Sequence, residues 1–173
     1  MAESSNNARE RGREFVRRRR RRLAQLIQRP LTPPPPSEDL TEEKRRFLLE
    51  EAEDLYWNEL SWEQVTEEEG LADSGLVEFT FPGFLAFTEG LLLREVMPDS
   101  LAPASPRPEV VEDILQFLAT RCVELEGAQD DEARMEREVI VRLIDLVLYR
   151  QHGIDVEEVE RLEEGTPWRD PDV

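Results

Sequence analysis

The clearest candidates for chemistry in this sequence are six consecutive arginines near its N-terminus. A guanidinium group presents a planar fork of N–H donors that matches the oxygens of a phosphate or a carboxylate. Several such contacts give a nucleic-acid complex whose affinity falls steeply as the salt concentration rises. We therefore predict a nucleic-acid-binding site, with an acidic protein surface as the alternative partner. The residues of this predicted site are Arg17, Arg18, Arg19, Arg20, Arg21 and Arg22.

The charge of the chain is divided between the same N-terminal segment and the rest of the sequence. Residues 1–29 hold ten arginines and three acids, a net charge of +7, whereas residues 30–173 hold 12 basic and 37 acidic residues, a net charge of −25. Together they give the −18 of the whole chain. Either the basic arm (residues 1–29) serves an outside anionic partner, or it folds back on the acidic body. The sequence leaves both alternatives open.

The residue types that most often perform catalysis are scarce or unfavourably spaced. The only histidine, His152, ends a predicted helix, and the only cysteine, Cys122, lies on an apolar stripe, where it packs as a small hydrophobic residue. The 40 acids show neither the Glu-x-x-His spacing of di-iron bundles nor a calcium loop of the EF-hand type. The 8 glycines form no phosphate-binding loop. We expect no enzymatic activity, no catalytic residues, no metal site and no cofactor.

The elements that must position these residues are predicted to be helices. Hydrophobic periodicity indicates helices over residues 41–59, 84–96, 109–125, 130–152 and 155–162. Residues 8–28 favour a helix that forms on contact with something anionic, because adjacent arginines repel one another. The predicted fold class is all-α, a helical bundle of about four to six helices with at most one short strand. A disordered or conditionally helical basic arm precedes this bundle.

Domain boundaries follow from composition. Five prolines between residues 30 and 36 remove backbone donors and favour an extended linker. The predicted organisation is an Arg-rich arm, a Pro-rich linker, an acidic helical domain and a loose C-terminal tail, at residues 1–29, 30–39, 40–164 and 165–173 respectively.

Aromatic residues concentrate in the first half of the body, next to a short alternating segment. Val77, Phe79 and Phe81 alternate with polar residues, as in a strand, yet no second strand is evident to pair with it. An unpaired strand beside exposed aromatic rings would be a docking surface for a partner protein. The predicted partner-binding residues are Trp57, Trp62, Phe79 and Phe81. The alternative is that these rings belong to the core.

Residues 144–163, IDLVLYRQHGIDVEEVERLE, resemble the closing helix–Gly–helix of bacterial type IIG restriction-modification enzymes and related adenine methyltransferases. Gln151 and His152 replace the Leu-Tyr pair usual in that family, and its methyltransferase motif, cofactor loop and nuclease motif are missing from this chain. The resemblance implies at most an accessory piece from a bacterial DNA-modification or phage-defence setting. The positions in register are Ile144, Asp145, Tyr149, Gly153, Ile154, Glu157, Glu158, Val159, Leu162 and Glu163.

These observations favour a non-enzymatic adaptor or accessory protein. Its helical body would dock on a partner protein, and its arm would contact nucleic acid or an acidic surface. One alternative is an acidic nucleic-acid mimic that regulates a DNA-binding protein, and another is a small enzyme with a carboxylate-based site. No apolar run approaches the roughly 20 residues of a membrane span. The single cysteine indicates a reducing compartment, so we expect the cytoplasm, or the nucleus if the host is a eukaryote or a virus of one.

Overall fold

The computed structural model describes residues 2–31, 37, 40–60, 80–92, 106–155, 157–158 and 160–161. Within these residues the chain forms helices and no strand, which confirms the all-α bundle. The predicted strand lies outside the described residues, apart from Thr80 and Phe81 at its end. The helices are α1 (Ala2–Ile27), α2 (Glu42–Glu59), α3 (Pro82–Leu92), α4 (Pro108–Leu125) and α5 (Asp131–Gln151).

Helix α4 is the centre of the bundle. It contacts each of the other four helices, and α5 packs along it. Such a position requires apolar residues on more than one face of the helix. The sequence of α4 meets this requirement, and its fully buried residues are Val110, Val111, Ile114, Leu115, Leu118 and Ala119.

Capping residues fix the start of α2 and the end of α5. The side chain of Thr41 accepts a hydrogen bond from the backbone N–H of Lys44 at 3.1 Å, which begins α2. After α5, Gly153 takes a positive φ of 68°. Asp155 then accepts a hydrogen bond from the backbone N–H of Glu158 at 2.8 Å, as a helix N-cap does.

Helix α1 contains the basic arm and packs against α4 and α5. Its buried residues recur every three or four positions and so form one face, which α4 and α5 cover. Of the two arrangements that the sequence leaves open, the structure shows the arm folded back on the acidic body. The buried positions of α1 are Ala8, Gly12, Phe15, Val16, Arg19 and Leu23.

The backbones of α1 and α4 approach closely at Gly12. A Cβ atom built on Gly12 would lie 3.0 Å from the backbone nitrogen of Thr120 and 3.1 Å from the carbonyl carbon of Ala119. Only a residue without a Cβ fits this approach without displacing one of the helices. Gly12 therefore sets the distance between the basic arm and the centre of the bundle.

None of the helices in the described part of the chain combines the length and the apolar character that a membrane crossing requires.

Candidate nucleic-acid interface

The six adjacent arginines divide into inner and outer residues because successive positions of a helix point about 100° apart. Arg19 is buried, and Arg20 and Arg22 are half-buried between α1 and the body. Arg17, Arg18 and Arg21 are exposed. The structure thus brings three of the six predicted nucleic-acid-binding residues to the surface and turns Arg19 and Arg20 toward the chain's own acids.

Arg19 forms a buried ion pair with Asp145 of α5. Its Nε lies 3.0 Å from Oδ1 and its Nη2 lies 2.5 Å from Oδ2. The two side chains are only 1% and 3% exposed. A bidentate arginine–carboxylate pair fixes both the distance and the orientation of its partners. This pair therefore sets the position of α1 on α5.

Arg20 joins α1 to the end of α5 and to α4. Its Nε donates to Nε2 of His152 at 3.3 Å, and its Nη2 donates to Oε1 of Gln151 at 2.7 Å. The same Nη2 contacts the carboxylate of Glu112. Gln151 in turn donates from its Nε2 to Oε1 of Glu112 at 2.7 Å. This network pairs the positive charge of Arg20 with groups of the protein itself.

Ion pairs at both ends of the arm extend this attachment. Arg11 pairs with Glu126 just beyond α4, and Arg29 pairs with Glu158 beyond α5, with 3.0 Å between Nη2 and Oε1. The hydrogen bond from Arg29 lowers the pKa of the Glu158 carboxyl group. Acids of the body thus contact the arm from Arg11 to Arg29.

The outer face of α1 carries exposed arginines at every fourth position, Arg9, Arg13, Arg17 and Arg21, which we call the arginine ladder. Four residues of helix rise about 6 Å and turn a little more than once, so these side chains follow one another along one side. Glu14 contacts two of them, with 3.5 Å to Arg17 and 3.1 Å to Arg21. The arginine ladder is a basic strip on the outer face of α1, and the inner face of α1 packs against α4 and α5.

The predicted partner-binding aromatics separate in the structure. Trp57 is 45% exposed on α2, whereas Phe81 is fully buried and stacks on Tyr56 with ring centroids 5.9 Å apart. Trp62 and Phe79 lie outside the described residues. The structure therefore places Phe81 in the core, which is the alternative that the sequence leaves open for these rings.

A buried polar cluster that the sequence analysis missed joins α2, α4 and α5. The hydroxyl of Tyr56 donates to Oε2 of Glu136 at 2.6 Å. Arg121 donates to both oxygens of the same carboxylate, at 2.8 and 3.0 Å. Burial, followed by the hydrogen bond to Glu136, raises the pKa of Tyr56. One signal could have revealed the cluster: Glu136 stands on the apolar stripe of α5, three residues before Val139.

Residues that could bind a metal ion or act through a thiol are the remaining candidates for chemistry. Among the described residues, no group of three or more His, Cys, Asp or Glu side chains is arranged to hold a metal ion. Cys122 is buried in α4, as its place on the apolar stripe predicts, and burial raises the pKa of its thiol.

Comparisons of the chain with protein families, with curated proteins and with solved structures found no match of any kind. The resemblance of residues 144–163 to the restriction-modification family therefore stays a prediction. Two of its positions have clear structural roles in this chain: Asp145 holds Arg19, and Gly153 ends α5 with its positive φ.

Proposed function

We propose that this chain is a non-enzymatic accessory protein that binds nucleic acid through the arginine ladder and the neighbouring Arg18. The observation that carries the proposal is the four-residue spacing of exposed arginines on a helix whose inner face is already packed. A helix held in place loses little conformational entropy when it meets a ligand. The arginines of the ladder can therefore contact phosphates without first folding the arm.

The charge of the body orients this binding. Residues 30–173 carry a net charge of −25, which repels a polyanion from most of the molecular surface. The outer face of α1 carries the arginine ladder and Arg18, so we expect a nucleic acid to approach the protein from that side. Contacts to phosphates alone carry no sequence information, and the proposed binding is independent of sequence and sensitive to salt.

The adaptor role of the body rests on the exposed rings of α2. Phe47 is 59% exposed and Trp57 is 45% exposed, and Arg121 lies 5.1 Å from the centroid of the Trp57 ring. Large exposed rings are typical of residues that contact partner proteins. The proposed setting, bacterial DNA modification or phage defence, follows from the resemblance of residues 144–163.

The test is a binding titration of the full chain with a fluorescein-labelled DNA duplex and a labelled single-stranded RNA. One variant carries Arg13→Gln, Arg17→Gln and Arg21→Gln. The matched control carries Lys44→Gln, Arg46→Gln and Arg134→Gln, three exposed basic residues on α2 and α5. Both variants lose the same charge, so a difference between them reports the site.

We expect the ladder variant to bind at least about tenfold more weakly at low salt, because three phosphate contacts are lost. The slope of log affinity against log salt should fall by roughly 0.9 for each lost contact to duplex DNA. The control should change affinity by less than about twofold. Absence of binding at low salt, or an equal loss in the two variants, would contradict the proposal. Binding of the chain to a basic DNA-binding protein instead would favour the nucleic-acid mimic.

A further inference from the structure

His152 occupies a position where its protonation state matters to the arm. It is the only histidine of the chain, it caps the C-terminus of α5, and its side chain is buried. Its Nε2 accepts the hydrogen bond from Nε of Arg20 at 3.3 Å. Arginine is always a charged donor and never an acceptor, so Nε2 must hold its lone pair in this contact. The ring that contacts α1 is therefore the neutral imidazole.

We propose that His152 is a pH-sensitive latch that holds the C-terminal part of α1 on the body and opens when the imidazole takes up a proton. Protonation turns Nε2 into a donor and places a second positive charge beside the guanidinium of Arg20. A hydrogen bond between the two groups thereby becomes a contact between like charges. This inference does not depend on nucleic-acid binding, since it concerns only how α1 is held.

The charged groups that share this contact with Arg20 belong to the body and not to α1. Glu112 of α4 accepts hydrogen bonds from Arg20 and Gln151 through its Oε1, and its negative charge favours a protonated ring. The C-terminal dipole of α5 also favours the charged ring. Both Glu112 and the dipole stay beside His152 whether α1 is docked or not. Beyond the latch, Arg29 and Glu158 form a separate ion pair.

Arg20 contacts His152 from α1, so release of α1 removes this positive charge from the ring. Because Arg20 disfavours the protonated ring, the released state binds the proton more strongly than the docked state. By linkage, docking is at full strength above the ordinary titration range of histidine, near pH 6.5, and weakens as the pH falls through that range. The pair of Arg19 and Asp145 does not include His152, so we expect opening to be confined to the C-terminal residues of α1.

The test compares hydrogen–deuterium exchange of full-length wild type and His152→Gln at pH 7.5 and at pH 5.5. Glutamine keeps an acceptor for Arg20 but takes up no proton in this range. Comparing the two proteins at the same pH cancels the intrinsic pH dependence of exchange and the protonation of the many carboxylates. We expect equal exchange of residues 20–27 at pH 7.5. At pH 5.5 these residues should exchange about three- to tenfold faster in the wild type, with residues 8–15 unchanged.

Nuclear magnetic resonance of protein labelled with ¹⁵N-histidine provides a second measurement that needs no variant. The chain has one imidazole, so its two ring nitrogens are assigned without ambiguity. At pH 7.5 we expect the tautomer with the proton on Nδ1 and a bare Nε2. An Nε2–H tautomer, or the same acid response of residues 20–27 in wild type and His152→Gln, would overturn the latch.

Discussion

Arg19 and Asp145 lie face to face inside the bundle, joined by two hydrogen bonds across 126 positions of the sequence. Arg19 stands at the centre of the apolar face of α1, between Val16 and Leu23. A charge at such a position is tolerated because its partner is buried with it. The pair therefore makes docking of the arm specific for one site on the body.

Removal of Asp145 should destabilise the protein strongly. In Asp145→Ala the guanidinium of Arg19 stays buried without its carboxylate, a situation that costs about 3–5 kcal/mol. Urea unfolding followed by circular dichroism gives the change in the free energy of unfolding. The matched control is Glu14→Gln, which removes an exposed carboxylate from the outer face of α1 and should cost about 0.5 kcal/mol or less.

Replacing both partners separates the cost of an unpaired charge from the worth of the pair. The variant with Arg19→Leu and Asp145→Leu buries no charge, and we expect it to recover most of the stability lost in Asp145→Ala. If Asp145→Ala costs no more than Glu14→Gln, the pair does not anchor the arm.

The close approach at Gly12 predicts that Gly12→Ala is harmful although alanine is the better helix former. The added Cβ would meet backbone atoms of Thr120 and Ala119, which cannot move aside alone. We expect a loss of about 1–3 kcal/mol in the free energy of unfolding, typical of overpacking.

Gly90 provides the control for that substitution. It lies in α3, is exposed, and has no atom within 4 Å of the position a Cβ would take. Gly90→Ala should therefore stabilise the protein by roughly 0.5–1 kcal/mol through helix propensity alone. Two substitutions of identical chemistry should thus act with opposite signs, and a stabilising Gly12→Ala would show that α1 and α4 are farther apart.

The raised pKa of Tyr56 predicts a loss of stability in alkali. The folded state keeps the phenol neutral because of its burial and its hydrogen bond to Glu136. The unfolded chain releases this proton near pH 10, so stability is complete below that pH and falls above it. Each further pH unit should cost about 1.4 kcal/mol from this group.

Tyr56→Phe identifies the group responsible. The variant should lose about 1–2 kcal/mol at pH 7, where the hydrogen bond to Glu136 disappears. Above pH 10 its stability should fall less steeply than that of the wild type, since Tyr149 is common to both proteins. Urea unfolding at pH 8 to 11 measures both slopes, and identical slopes would contradict the assignment.

The thiol of Cys122 should react only when the bundle opens. Burial is the main cause of its raised pKa, so little thiolate is present and the sulfur is shielded. We expect the reaction with Ellman's reagent to be at least about 100-fold slower in the native protein than in urea. The control is the exposed position 128, as Ala128→Cys in a Cys122→Ala background, which should react at an ordinary rate. If native wild type and the native Ala128→Cys variant react at equal rates, Cys122 is accessible in the folded protein.

The helices of the body could be predicted from the sequence because their apolar stripes are continuous. The predicted range 109–125 corresponds to Pro108–Leu125, 130–152 to Asp131–Gln151, and 41–59 to Glu42–Glu59. Caps at Thr41 and Gly153 fix their ends through neighbouring residues alone. Apolar stripes and caps depend on residues close together in the sequence, so a single sequence is enough to predict these helices.

The docking of α1 could not be predicted in the same way. Its inner stripe runs from Phe15 to Leu23 but is interrupted by Arg19, whose partner stands on α5. Which arginines are exposed depends on which face of α1 packs against the body, and the sequence does not show that face. Long-range pairing of charges leaves no periodic signal. A charged residue on an apolar stripe, such as Glu136 on α5, indicates that a buried partner exists but not which residue it is.

The sequence separation of Arg19 and Asp145 has a consequence for biosynthesis. The arm leaves the ribosome first, and its buried partner follows 126 residues later. At about 5–20 residues per second, α1 waits on the order of ten seconds before its docking site exists. During that interval the nine arginines of α1 lack the carboxylate that orients the arm on the body. Completion of α5 is then the event that allows the arm to take its place in the folded protein.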